Sequence, residues 1–166
     1  MELLKELIIK HKYNLSNDWK LIYRGSNDGF LATNFHSKCD NIPNTLCVIQ
    51  SDTNNVFGGF TSIPWSSSRS SGWHRDDNAF LFLLRSLQGN KPNIFKATRG
   101  STHVYHEPTF MCWFGWAILI GNKCNIERSS SVEDSSKYKI HSVGGKYFNS
   151  TPRFIVKEIQ VFTTVT

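Results

Sequence analysis

A chain of 166 residues that is 39% hydrophobic and 13% aromatic, with 12 Phe and 5 Trp, is globular rather than disordered, and its length suits one domain with a real core rather than two. The formal net charge of +6 comes from Lys and Arg scattered among acids. Without a basic run or an RNA-binding signature, it gives no dedicated nucleic-acid site. No apolar run reaches the roughly 18 residues of a membrane span. The opening MELLKELIIKHKYNL, with Glu2 and Glu6, lacks the apolar core of a secretory signal, so a cytoplasmic location is expected, with the nucleus as the other candidate.

Leu3, Leu4, Leu7, Ile8 and His11 mark one face of an amphipathic helix, and Asn14 to Asp18 break it. Residues 1–18 thus read as helix and connector, and 19–163 as the core of a single domain. Trp19–Tyr23 reads as a strand and Gly25–Gly29 as a turn. Phe30–Cys39 reads as a short helix that buries Phe30, Phe35 and Cys39, with Asp28 as its N-cap. Thr45–Gln50 and Val56–Thr61 form a hairpin around the turn residues Ser51–Asn55. Pro64–Asp77 is a Ser-rich loop, and Ala79–Leu87 is a strand buried on both faces. Ile94–Ala97, Thr102–His106 and Ala117–Ile120 are further strands, followed by a polar loop, Gly121–Ser136. In the closing segment the apolar phase runs Phe154, Val156, then Ile159, Val161, a slip that places a β-bulge near Lys157-Glu158. Many short strands without βαβ alternation predict an α+β, mainly β domain: an antiparallel sheet or sandwich with helices at one side.

Cys39, Cys47, Cys112 and Cys124 contain no C-x-x-C and read as free, buried thiols. His36, Cys39 and Asp40 would make half a zinc site, but a second ligand pair at usual spacing is missing. Gly145-Lys146 is followed by Tyr147 and has no earlier P-loop glycine. Neither a metal nor a cofactor is expected. Cys39 with His36 is a conceivable nucleophile and base, yet the helix wants Cys39 inside. Arg24, Asp28 and Glu158, with His36 and Asp40, read as a hydrogen-bonded scaffold in which Glu158 meets Arg24 or the backbone amides of the Gly25–Gly29 turn.

The run LIYRGSNDGFLATNFHSKCDN resembles the opening of the TLDc domain, and VFGGFTSIPW, NAFLFLLRS, AILIGNKCNIERSS and FIVKEIQVF are similar to its later blocks in the correct order. Two departures stand out. EPTFMCWFGWAIL occupies the place of a glycine-rich segment, and Gln160 replaces a frequent second acid. The resemblance implies a two-sheet antiparallel β-sandwich flanked by short helices, a role in resistance to oxidative stress, and binding to the vacuolar proton-pumping ATPase. With no catalytic constellation in the sequence, the expected activity is protein docking, by a monomer, with Trp65, Trp73, Trp113 and Trp116 as anchors. The rival expectation is a small redox or hydrolytic enzyme that uses Cys39 with His36, or Glu158 as a base.

Overall fold

The computed structural model describes residues 2–11, 13, 18–68, 72–140 and 144–164. Helix α1 (Glu2–Lys10) precedes strand β1 (Trp19–Arg24) and two short helices, α2 (Gly25–Asp28) and α3 (Ala32–Cys39). Then come β2 (Thr45–Ser51), β3 (Val56–Thr61), β4 (Gly72–His74), β5 (Phe80–Arg85), β6 (Asn93–Lys96) and β7 (Val104–His106). The chain continues through β8 (Phe110–Phe114), β9 (Ile118–Gly121), β10 (Ser130–Ser131), β11 (Arg153–Phe154) and β12 (Val156–Thr164). The strands form two antiparallel sheets of six, ordered β1-β12-β2-β3-β5-β6 and β11-β10-β9-β8-β7-β4. Among the described residues no helix is long and apolar enough to cross a membrane.

The main core lies between the sheets, where Cys47, Ile49, Phe57, Leu81 and Leu83 of the first meet Val104, Cys112, Phe114 and Ile118 of the second. A second cluster covers the outer face of the first sheet, where Leu4, Leu7 and Ile8 of α1 pack on Leu46, Phe60, Phe80 and Phe82. This double covering explains the unbroken apolar run of β5. Each such side chain contributes roughly 1.5–3 kcal/mol on burial. The strand ends at Arg85, short of the expected Leu87, which is 65% exposed.

Further segments differ from the sequence reading, and β4 and β10 lie inside the expected loops Pro64–Asp77 and Gly121–Ser136. Gly25–Asp28 is a helical turn, and α3 begins only at Ala32. Strand β8 arises where no strand was expected, because Met111 and Cys112 are both buried across a register irregularity that destroys alternation. Phe154 belongs to the second sheet and Val156 to the first, so the phase slip marks a change of sheet as well as the bulge between Val156 and Glu158.

The two glycines of β3 permit close approach, Gly58 within its own sheet and Gly59 between the layers. A Cβ on Gly58 would collide with the Cys47 carbonyl oxygen, and one on Gly59 would lie 2.8 Å from the Phe114 ring of the opposite sheet. Gly59→Ala is expected to destabilise by roughly 1–3 kcal/mol through overpacking, read as a lower urea midpoint with unchanged slope.

Candidate functional site

The polar residues of Tyr23–Asp40 divide into two groups. In the first, the Arg24 amide donates to Asp28 Oδ2 at 2.8 Å, and the Tyr23 hydroxyl donates to the Gly29 carbonyl at 2.6 Å. Asp28 therefore closes α2 and does not cap α3. The first amides of α3 are satisfied instead by Asn34 Oδ1, which accepts from Leu31 N at 3.1 Å, and by Asn122 Oδ1, which accepts from Ala32 N at 2.8 Å. Glu158 accepts from Ser26 N (3.1 Å), Ser26 Oγ (2.6 Å) and Ile159 N (3.0 Å). Arg24 is not its partner: the guanidinium donates to the Gln160 side-chain oxygen through Nε (3.1 Å) and Nη2 (2.9 Å).

The second group lines an open cleft of about 540 Å³ between α3 and the Ser66–Ser68 segment, with Thr33, Asn41 and Pro108 at its walls. His36 Nδ1 lies 2.7 Å from Asp40 Oδ1, and Ser67 donates to Asp40 Oδ2 through its amide (2.8 Å) and its hydroxyl (2.6 Å). Burial opposes ionisation of Asp40, but these bonds from Ser67 and His36 outweigh it and hold the carboxyl below its ordinary range. His36 Nε2 faces the carbonyls of Phe110 (2.8 Å) and Glu107 (3.2 Å). Both ring nitrogens thus meet acceptors, and only the doubly protonated imidazole can donate to both. A serine, a histidine and an aspartate stand together, yet the hydroxyl donates to the carboxylate and both His36 nitrogens face other groups. The relay of a serine hydrolase is not formed. Cys39 lies in the core, where burial, then Cys112 and Asp40, push its thiol well above its ordinary pKa. His36 is turned away to its own partners.

Other polar groups settle into structural roles that local sequence gave no sign of. Asp76, 4% exposed, accepts from Thr61 Oγ1, Ser62 N and Ser62 Oγ, each at 2.7 Å. Asn149 is fully buried, and its Oδ1 collects Ser51, Thr53 and Asn55 at 2.6–3.0 Å. His74 and His106 stack with centroids 4.1 Å apart, and neither Nε2 has a partner among the described residues.

The four tryptophans separate. Trp65 is 1% exposed and donates its indole N–H to buried Thr45 Oγ1 at 2.9 Å, so it is a core residue and not a surface anchor. Trp73, Trp113 and Trp116 come together on the outer face of the second sheet with Tyr105 and Phe110, neighbouring centroids lying 4.6–5.8 Å apart. Val104 and His106 point inward, which turns Tyr105 outward, and the β8 irregularity brings Phe110 and Trp113 to the same side. Lys137 Nζ sits 4.2 Å above the Trp73 ring, and Trp116 is 49% exposed.

The family model of the TLDc domain matches residues 1–165. The chain belongs to the TLDc family. No curated protein matches it. In this TLDc chain β8 and the turn after it supply Phe110, Trp113 and Trp116 to that aromatic cluster.

Burial, then the neighbouring His74, lower the His106 imidazole from 6.5 to about 4; Asp40 works against this and His36 adds to it. The unfolded chain then binds the extra proton first, so this stability is complete above pH 6.5 and is lost as pH falls toward 4. The loss should reach up to about 3 kcal/mol, with Asp40 titrating below that window. Melts across this range should show the decline in the native protein and a flatter profile in His106→Phe. Glu158→Ala should cost roughly 1 kcal/mol by stranding the Ser26 and Ile159 amides, and Glu158→Gln less, as read by urea titration.

Proposed function

We propose that this TLDc domain is a non-catalytic docking module that uses the aromatic platform of β4, β7 and β8. The observation that carries this reading is the half-exposed Trp116 set against Trp73, Trp113, Tyr105 and Phe110 on a rigid sheet face. Large aromatics with few rotatable bonds are the side chains most enriched at binding hot spots, and a sheet holds them without an ordering cost. The family resemblance extends the proposal to a partner, subunits of the vacuolar proton-pumping ATPase, and to protection against oxidative stress in the cytoplasm. Against the enzyme reading stand the engagements of its groups: Cys39 buried as a thiol, His36 bonded on both nitrogens, and Glu158 bonded to Ser26 and Ile159.

The test is retention of purified cytosolic subunits of that ATPase on the immobilised domain. Trp116→Ala and Trp73→Ala should each weaken retention by about tenfold, the effect of a hot-spot residue. The melting temperature of Trp116→Ala should stay within a degree or so, as for an exposed substitution. Failure of the native domain to retain any subunit sinks the named partner, and native-like retention by both variants sinks the platform.

A further inference from the structure

A second feature lies along β6, the edge strand of the first sheet. Beyond β6, Ala97 bridges Tyr138 in antiparallel register, with Lys139 N donating to Lys96 O and Thr98 N to Lys137 O, each at 2.9 Å. Lys96 and Lys139 therefore stand directly opposite each other and project from one face, away from buried Ala97 and Tyr138. Like charges directly across a ladder are destabilising, and proteins ordinarily place an acid at one of the two positions. Here neither lysine has a carboxylate partner among the described residues. The Lys96 ammonium is held in place by one bond to the His11 carbonyl (3.1 Å) and by the Tyr13 ring (5.2 Å), which leaves two of its donors free of those contacts. Along this edge lies a cleft of about 400 Å³, lined by His11, Asn93, Ile94, Phe95, Lys96, Lys139 and Tyr147. That volume falls in the range of small-molecule sites.

We propose that this cleft binds a phosphate-class dianion, with Lys96 and Lys139 as paired cations and His11 as a third donor. A dianion compensates both opposed lysines, whereas a single carboxylate leaves one unmatched. The neighbourhood carries the mark of an unmet positive field. The His11 imidazole is held below its ordinary pKa by burial first, then by Lys96 and Lys10, with a bond to the Asn93 side chain acting the other way. A bound dianion reverses the sign of that field, so His11 takes up a proton on binding. The phosphate can belong to a soluble phosphoester or to a lipid headgroup. Both present the same dianion to the cleft, and the two sources are separable by experiment.

The experiment follows the side-chain resonances of His11 by NMR in the whole chain, titrated with inorganic phosphate and, at equal ionic strength, with chloride. Phosphate should raise the His11 pKa by about 1 unit beyond chloride. Lys139→Glu should abolish that rise. In phosphate-free buffer it should also melt about 2 °C higher, because it replaces repulsion with attraction. Lys139→Gln, which adds no charge, is the second variant and should give an intermediate response. A phosphate effect no larger than that of chloride, or a native response in Lys139→Glu and Lys139→Gln, overturns the proposal. Phosphatidylcholine vesicles with and without phosphatidylinositol 4,5-bisphosphate then identify the source. Co-sedimentation that needs both the phosphoinositide and Lys139 assigns a lipid headgroup; a phosphate response without co-sedimentation assigns a soluble ligand.

Discussion

The carboxylate of Asp40 joins three parts of the chain through two oxygens. One oxygen faces His36, whose far nitrogen grips carbonyls at the start of β8, and the other holds the Ser67 amide and hydroxyl. The C-terminal end of α3 and the loop after β3 thus share one acceptor, and His36 carries the link on to the entry to β8. Their apolar residues, Phe35 and Trp65, can then close on each other at 5.7 Å beneath it. Removing the carboxylate would release three donors at once, which is why this group and its ionisation matter more than any single contact around it.

The same economy runs through the polar residues of α2 and its surroundings. An active site keeps a nucleophile, a base or a donor unspent until substrate arrives. Around α2 and α3 the hydrogen-bonding capacity is spent within the protein: Glu158 on the start of α2, Gln160 on Arg24, Asp28 on the amide before α2. What stays uncommitted lies elsewhere, in aromatic surface on the second sheet and in positive charge beside the first.

How much of this was legible depended on whether the signal was local. The β2–β3 hairpin and the bulge under Glu158 could be read because alternation and its one slip are properties of neighbouring residues. Strand β8 was hidden because Met111 and Cys112 are consecutive inward residues, which cancels the period of two. Asp28 has the right chemistry three residues too early, and a helix of four residues, α2, is too short to show any periodicity. Trp65 looks like a loop residue among serines, and its contacts with Thr45, Phe35 and Phe114, all distant in sequence, draw it inside. Ser67 could not be found at all, since its acceptor lies 27 residues away.

The pairing of β1 with β12 sets an order of events for the growing chain. Trp19 meets Thr164 and Arg24 meets Gln160, while β2 takes the other side of the same strand. Nearly the entire domain must therefore be made before β1 has any ladder to join, and the entropy of closing so long a loop falls late in folding. Until then β1 and β2 carry open rows of amides and carbonyls, the templates on which strands of other molecules add. A ribosome stalled short of β12 would hold out a nearly complete sandwich split along one seam, and guarding that seam is work for a chaperone.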